Sequence, residues 1–230
     1  MKRQVLPERL DVLPPTDPRA MHSRRDLHRL NGIMGHPKIM AGALISSLNG
    51  HSTVRLAEIG AGDGAFLFGL AKAANGRWKD VEATLVDRLD AFDRTNEPGF
   101  RELGWRVAPA TGDALAWLDS QPDTREAIIA NLFLHHFEAA ALADLLRRAA
   151  RATDTFIALE PRRGWWPLLC SRMIWAIGCN EVTRHDAAVS VRAGFSGSEL
   201  SALWPDPRHW QLTERPAGAF SHLFIAQRRR

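Results

Sequence analysis

The sequence of 230 residues is poor in cysteine, with only Cys170 and Cys179, and both lie in one apolar stretch. Neither cysteine belongs to a CxxC pair or stands at a spacing from histidine that is typical of metal ligands. We therefore predict no metal site from the sequence. We interpret the two cysteines as buried free thiols in a reducing compartment.

Long apolar runs are also absent. No stretch reaches the roughly 18 apolar residues that a membrane-spanning helix requires, so we predict no membrane span. The N-terminal region contains no apolar core of signal-peptide length. These absences favour a cytoplasmic protein.

The surplus of charge is small as well, because 30 basic and 26 acidic residues leave a formal net charge of +4. Basic residues do not form a stripe with interleaved aromatic residues, as they do in many nucleic-acid-binding proteins. We therefore predict no nucleic-acid partner. The composition is that of a globular protein with a sizeable core, and a small molecule is the expected substrate.

What the sequence does contain is an alternation of strand-like and helical segments. Short apolar runs predict strands at 54–59, 81–86, 105–109, 127–132 and 155–159, and helical patterns occur at 65–74, 114–118 and 138–152. This order predicts an α/β fold whose mostly parallel sheet has helices on both faces. Strand-like runs at 211–215 and 222–227, joined by a short turn, predict a C-terminal antiparallel hairpin and seven strands in all.

Two further regions accompany this pattern. Residues 1–49 predict a proline-rich arm followed by a helical cap, in which Ser23 would begin the first helix, and residues 50–230 predict the α/β domain. The segment 164–204 is an insertion that holds four of the eight tryptophans. We expect it to close over the substrate as a lid together with residues 24–35, although burial of its apolar helix in the core is an alternative.

A glycine-rich turn follows the first predicted strand. Gly60 and Gly62 allow positive φ angles and a close approach of ligand to backbone, at the strand edge where open α/β sheets bind ligands. The same letters also fit a dinucleotide-binding fingerprint. Glu58, two residues before the first glycine, would repel a pyrophosphate but suits an ammonium or a sulfonium cation.

Two more acids follow the next two strands. Asp87 closes the second strand and can bind both hydroxyls of a ribose, in either kind of cofactor. Asp113, followed by Ala114, comes after the third strand, where a carboxylate can accept a hydrogen bond from an adenine amino group. In this order, the glycine turn and the two acids form a pattern for adenosyl recognition.

This set of motifs resembles the class I S-adenosylmethionine-dependent methyltransferase family from about residue 50 to the C-terminus. The matching pieces are Glu58-x-Gly60-x-Gly62-x-Gly64, Asp87, Gly112-Asp113-Ala114 and the segment Asn131 to Phe137. The resemblance implies S-adenosylmethionine as cofactor. It also implies that Gly60 and Gly62 hold its amino-acid end, that Asp87 binds the ribose, that Asp113 and Ala114 read the adenine, and that Asn131 lies under the methionine portion.

Three histidines are the candidates for a catalytic base, namely His135 and His136 after the fourth strand and His185 in the insertion. A base is needed only where the methyl acceptor is a poorly acidic hydroxyl. We favour an O-methyltransferase of secondary metabolism that acts on a small, hydrophobic, hydroxylated compound, with aromatic compounds among the candidates.

Three alternatives to this interpretation stay open. One is a C- or N-methyltransferase on the same fold, and another is a non-catalytic module that binds the cofactor. The third is an NAD(P)-dependent oxidoreductase. The complete absence of tyrosine excludes one large class of these enzymes, which use a Tyr–Lys pair as acid.

Overall fold

The computed structural model describes residues 1–14, 16–74, 76–121 and 124–229. Its strands are β1 (Thr53–Ile59), β2 (Asp80–Asp87), β3 (Trp105–Thr111), β4 (Ala127–Asn131), β5 (Thr155–Pro161), β6 (Trp210–Ala217) and β7 (Ser221–Arg228). Its α-helices are α1 (Arg9–Val12), α2 (Pro18–Ile33), α3 (His36–Ser47), α4 (Ala65–Ala74), α5 (Glu97–Glu102), α6 (Ala114–Asp119), α7 (Ala139–Ala152), α8 (Trp165–Ser171), α9 (Glu181–Ala193) and α10 (Glu199–Leu203).

The seven strands form one sheet in the order β3-β2-β1-β4-β5-β7-β6. The strands β1 to β5 run parallel, whereas β7 pairs antiparallel with both β5 and β6. The predicted α/β class, the parallel sheet and the C-terminal hairpin are therefore confirmed. The chain order reverses between β1 and β4, so a crevice is expected at the carboxyl ends of these neighbouring strands.

Apolar side chains fill both faces of the sheet. On one face, α3 and α4 contribute Met40, Leu44, Leu67 and Leu70. On the other face, α7 buries Leu142, Leu145, Leu146 and Ala149, which recur at the three- and four-residue spacing of one helix face. Because β1, β4 and β5 are covered on both sides, their residues near the carboxyl ends are buried and closely packed.

The N-terminal region differs from the prediction in detail. The helix α2 begins at Pro18, where the Asp17 carboxylate accepts a hydrogen bond from the Arg19 N–H at 2.8 Å. Ser23 therefore does not begin the helix but lies buried inside it, with its hydroxyl 2.9 Å from Thr183 Oγ1. The proline in the first turn explains the earlier start, since proline is well suited to that position.

The residues before α2 lie against α9 instead of forming a loose arm. The short helix α1 starts where the buried carboxylate of Asp186 accepts hydrogen bonds from the N–H groups of Arg9 and Leu10, at 2.8 and 2.9 Å. Arg3 donates to the carbonyl oxygen of Ala193 at 2.7 Å. These contacts fix residues 3–10, which we call the N-terminal arm, across the carboxyl edge of the sheet.

The insertion 164–204 folds as α8, a 3-10 turn, α9 and α10, not as one apolar helix. Most of the large apolar side chains of α8 and the 3-10 turn are exposed, and Trp165 and Trp175 are 76% and 61% accessible. Trp204, at the end of the insertion, is buried and packs against Phe156 and Phe224 in the core. None of the described helices has the length and hydrophobicity to cross a membrane.

Candidate functional site

A cavity of about 920 Å³ opens at the carboxyl ends of β1 to β4. Its walls come from the turn after β1, the loops after β2, β3 and β4, the N-terminal arm and α2. All seven residues predicted to bind the cofactor line it, namely Glu58, Gly60, Gly62, Asp87, Asp113, Ala114 and Asn131. The parallel sheet brings them together because it places the ends of its strands at one edge.

The two glycines of the turn after β1 have different structural roles. Gly60 and Gly62 have φ angles of 73° and 55°, in the left-handed region that favours glycine. A Cβ atom on Gly60 would lie 2.3 Å from the ring of Phe133, so Gly60 is required for packing. A Cβ atom on Gly62 would meet no atom within 4 Å and would project into open space, as expected where a ligand approaches the backbone.

The acids after β2 and β3 are held by backbone N–H groups. Asp87 accepts hydrogen bonds from Gly62 at 2.8 Å and from Leu89 at 2.9 Å, one on each carboxylate oxygen. Asp113 caps α6 by accepting from Leu115 at 2.9 Å and Ala116 at 3.2 Å. Because a carboxylate has about four lone-pair sites, both acids keep acceptor capacity for a ligand.

Glu58 is an unusual residue of the cavity, because it is a buried acid without a nearby positive partner in the described part of the chain. It is 1% exposed, and its Oε2 atom has no hydrogen-bond partner among the described residues. Burial raises the pKa of Glu58 well above its usual value, and the negative charges of Asp63 and Asp87 raise it further. A buried polar atom without a partner is costly. The ammonium group of an amino-acid ligand would supply the missing donor, so this residue fits the methionine end of S-adenosylmethionine.

A buried histidine that the sequence did not single out supports Asn131. Nδ1 of His36 lies 2.8 Å from Asn131 Oδ1, and Nε2 lies 2.7 Å from the hydroxyl oxygen of Ser221. Since an amide oxygen only accepts, the Nδ1–H of His36 donates to it and the NH₂ group of Asn131 remains for a ligand. The next residue, Leu132, lines the cavity with a positive φ of 53°, a strained conformation of the kind that clusters at functional sites.

The rest of the cavity is largely apolar. The N-terminal arm and the residues after it contribute Val5, Leu6, Pro7, Leu10 and Leu13, which face Leu27 from α2 and Phe137 from the loop after β4. Two polar pairs interrupt this wall. His28 of α2 lies 2.9 Å from the carboxylate of Asp63 in the glycine turn, and Asp11 lies 3.5 Å from Nδ1 of His136.

The three histidines predicted as bases have different surroundings. Only His136 lines the cavity. His135 is buried between Glu160, 2.8 Å from Nδ1, and Glu8, 3.3 Å from Nε2. Burial opposes protonation of His135, but these two carboxylates outweigh it and raise the pKa of His135 to about 9. A residue that is protonated at neutral pH cannot accept a proton there.

His185 and the tryptophans of the insertion lie elsewhere. His185 pairs with its neighbour Asp186 at 2.9 Å on α9, outside the lining of the cavity. No residue of the segment 164–204 lines the cavity in the part of the chain that the structure describes. The predicted tryptophan lid is therefore corrected, because α8 and the turn after it pack beside α9 with Trp165 and Trp175 facing outward. The N-terminal arm takes the covering position instead, and the other part of the predicted lid, residues 24–35, does line the cavity through Arg24, Leu27, His28 and Asn31.

Comparisons with known proteins give no match to a protein-family model and no match among curated proteins. Solved structures do match. An O-methyltransferase family protein from Burkholderia thailandensis aligns with 93% of this chain at a TM-score of 0.63 and 17% identity. The chain spans 60% of the length of that protein.

Two further structures match along most of both chains. The plantazolicin methyltransferase BamL, solved with a triazolic desmethylPZN analog and SAH, has a TM-score of 0.66 at 11% identity, with 94% of this chain and 93% of that chain covered. The magnesium protoporphyrin IX methyltransferase from Synechocystis PCC 6803, solved with bound SAM, has a TM-score of 0.56 at 12% identity, with 96% and 88% covered. Together with the strand order and the hairpin, these likenesses show that the chain has the fold of the class I S-adenosylmethionine-dependent methyltransferases.

Proposed function

We propose that this chain is an S-adenosylmethionine-dependent methyltransferase that acts on a small hydrophobic compound. The observation that carries the proposal is the buried, unpartnered carboxylate of Glu58 in one cavity with Asp87 and Asp113. A dinucleotide would place a pyrophosphate at the same glycine turn, where the negative charges of Asp63 and Asp87 would repel it. S-adenosylmethionine instead offers a hydrogen-bond donor to each acid: its ammonium group to Glu58, its ribose hydroxyls to Asp87 and its adenine amino group to Asp113.

Each cofactor-binding residue of the cavity has a proposed role. Glu58 receives the ammonium group, Gly62 leaves room for the ligand, Asp87 binds the ribose hydroxyls, and Asp113 with the Ala114 N–H reads the adenine. Asn131, held by His36, presents its NH₂ group to the methionine portion. When bound, the donor supplies a sulfonium methyl group for in-line displacement by the acceptor. Support also comes from the two solved neighbours that carry SAH or SAM.

The methyl acceptor would bind in the part of the cavity whose wall is formed by the N-terminal arm. Its apolar side chains favour a hydrophobic acceptor and keep water away from the reacting atoms. Because the charge of the donor disappears in the transition state, alignment and water exclusion supply most of the rate enhancement. We favour a hydroxyl acceptor, because His136 beside Asp11 marks a polar position in this wall and would take the proton as candidate base.

We further propose that the chain is a cytoplasmic enzyme of secondary metabolism that has no nucleic-acid partner. Residues 1–49 form the arm and helical cap that complete the acceptor side, and the α/β domain begins at residue 50. Among the solved neighbours, one is named as a mitomycin 7-O-methyltransferase and another as the plantazolicin methyltransferase.

The direct test is calorimetric titration of the protein with S-adenosylhomocysteine and, in parallel, with NADP. We expect binding of S-adenosylhomocysteine only, and a loss of about 1.5–3 kcal/mol for each charged hydrogen bond removed in Asp87→Ala. Asp90→Ala, which removes an exposed acid outside the cavity, is the matched control. Binding of NADP alone would support the oxidoreductase alternative.

Turnover then distinguishes the remaining functions. The protein is incubated with S-adenosylmethionine labelled in its methyl group and a panel of phenols, enols and aromatic amines. Label on oxygen supports an O-methyltransferase, whereas label on carbon or on nitrogen supports a C- or an N-methyltransferase. Tight donor binding with no transfer to any acceptor would favour the non-catalytic module.

A further inference from the structure

Three side chains with metal-binding groups meet where the N-terminal arm contacts the segment after β4. Glu8, His135 and His136 each offer one ligand atom, and these atoms lie within 4.8 Å of one another. Glu8 and His135 are buried, whereas His136 is exposed and lines the cavity. An ion from solution would therefore reach the cluster through the cavity.

The surroundings of His135 resemble those of a histidine that binds a metal. Its Nδ1 lies 2.8 Å from Glu160 Oε2, and Glu160 is fully buried. The Oε1 atom of Glu160 also accepts the N–H groups of Phe133 and Leu134, at 3.0 and 2.8 Å, so this carboxylate cannot move. An ion that binds at Nε2 would displace the proton there into solvent, and a fixed carboxylate that accepts the Nδ1 hydrogen would then aim the Nε2 lone pair at the ion, which is the usual arrangement around metal-binding histidines.

The distance between His135 and Glu8, on the other side of the imidazole ring, also fits a bound metal ion. Nε2 of His135 lies 3.3 Å from Oε1 of Glu8. A hydrogen bond between an imidazolium and a carboxylate is usually about 2.7–2.9 Å long. Two ligand atoms that each lie about 2.0–2.2 Å from a tetrahedral ion are separated by about 3.3–3.6 Å. The hydroxyl of Ser190 donates to Glu8 and holds it at this distance from the ring.

Charge gives a third argument. Two buried carboxylates, Glu8 and Glu160, flank His135, and a single proton on the ring offsets only one of them. The nearby guanidinium of Arg3 attracts Glu160 electrostatically, but its hydrogen bonds go to the carbonyl oxygens of Ala193, His135 and Phe137. A divalent cation between Glu8 and the two histidines would offset both negative charges.

We propose that Glu8, His135 and His136 form a site for a divalent transition-metal ion, with Zn²⁺ as the best match to two nitrogens and one oxygen. The fourth position faces the cavity and would take water or an oxygen of a ligand. The ion would fasten the N-terminal arm to the segment after β4 and thereby hold the acceptor wall closed. No local spacing in the sequence marks this site, because Glu8 is 127 residues from His135.

Metal binding and base catalysis are alternative roles for His136. A ring nitrogen coordinated to an ion has no lone pair for a proton, so His136 acts as the candidate base only in the metal-free protein. The proposal about the metal does not rest on the proposed methyl transfer, since ion binding is measured without donor or acceptor. Failure of one proposal is therefore distinguishable from failure of the other.

The test uses the full chain after dialysis against EDTA, titrated with ZnCl₂ and, separately, with CoCl₂. We expect one equivalent of Zn²⁺ per chain and, for Co²⁺, visible absorption bands of a four-coordinate ion. Glu8→Gln and His136→Ala should each weaken Zn²⁺ binding at least about tenfold, and Glu160→Gln should weaken it about 10–100-fold. His185→Ala, which removes a histidine outside the cluster, should leave the affinity unchanged.

His136→Ala decides the outcome because this side chain is exposed, so its loss is compatible with folding, which circular dichroism checks. Substoichiometric Zn²⁺ in the wild-type protein would overturn the proposal. Equal affinity of the wild type and His136→Ala would overturn it as well. In either case His135 would instead be an imidazolium that bridges Glu8 and Glu160.

Discussion

His36 in α3 and Asn131 at the end of β4 form a buried hydrogen bond of 2.8 Å between ring Nδ1 and amide oxygen. The bond links the helical cap to a residue of the candidate donor site, across 95 positions of sequence. Ser221 of β7 completes the chain of hydrogen bonds on the other ring nitrogen. The orientation of Asn131 is thus set by two elements, α3 and β7, of which no described residue lines the cavity.

The same histidine should make stability depend on pH. Burial lowers the pKa of His36 to about 4, although the hydrogen bond with Asn131 and the charge of Glu160 oppose this change. An unfolded histidine titrates near about 6.5, so between these values the unfolded chain binds more protons than the folded one. The contribution of His36 is complete above about pH 6.5 and is lost as the pH falls toward 4.

We expect the wild type to lose about 2 kcal/mol more unfolding free energy than His36→Gln when the pH falls from 7.5 to 5. Urea unfolding at a series of pH values measures this difference. The comparison uses the change with pH within each protein, so a general destabilisation by the substitution does not affect it. Parallel pH curves for the two proteins would show that His36 does not titrate as its burial implies.

Glu58→Gln should lower the affinity for S-adenosylhomocysteine without lowering the stability of the protein. The substitution removes a buried carboxyl group whose Oε2 atom has no described hydrogen-bond partner and whose ionisation is disfavoured by burial, so we expect unchanged or increased thermal stability. Affinity for S-adenosylhomocysteine should fall by about 1.5–3 kcal/mol, because a charged hydrogen bond is lost. Glu102→Gln, on the exposed surface, is the control. A variant that binds as tightly as the wild type would remove Glu58 from the donor site.

Gly60→Ala and Gly62→Ala form a matched pair at the same turn. Both positions have positive φ, which costs about 1–2 kcal/mol for alanine. At Gly60 the added Cβ would also overlap the ring of Phe133, so we expect the larger loss of stability there. At Gly62 the added methyl group enters the cavity, so we expect the larger loss of donor affinity. Calorimetry and thermal unfolding of both variants check this division, and an equal effect of the two would contradict it.

The candidate base is tested in EDTA-treated protein, where the His136 ring is not coordinated. With a hydroxyl acceptor, His136→Ala should slow single-turnover methyl transfer about 10²–10⁴-fold, as expected for loss of a general base. His185→Ala should leave the rate unchanged, because that residue does not line the cavity. If His136→Ala keeps the wild-type rate, alignment alone accounts for the reaction.

Two tryptophans of the insertion should differ in their importance for folding. Trp175 is 61% exposed, so Trp175→Ala should change the unfolding free energy by no more than about 0.5 kcal/mol and leave KM unaltered. Trp204 is 3% exposed among aromatic rings of the core, and Trp204→Ala should cost about 3–5 kcal/mol. A raised KM in Trp175→Ala would restore the lid hypothesis for this segment.

The sequence predicted the sheet and the grouping of Glu58, Asp87, Asp113 and Asn131 because both depend on local patterns. Apolar runs of strand length alternate with helical spacing, and this alternation favours only a parallel sheet. In such a sheet the carboxyl ends of neighbouring strands lie at one edge, so residues that end different strands must meet. The glycines of the turn are likewise recognisable by spacing alone.

Only the tertiary structure decided which of three similar histidines reaches the cavity and which side chains close it. His135 and His136 are adjacent in sequence, yet one is buried between Glu8 and Glu160 and the other faces the cavity. The arm covers the site because Asp186, far along the chain, accepts its backbone N–H groups. No periodicity or spacing encodes such contacts, since they arise when distant segments pack together and satisfy each other's hydrogen bonds.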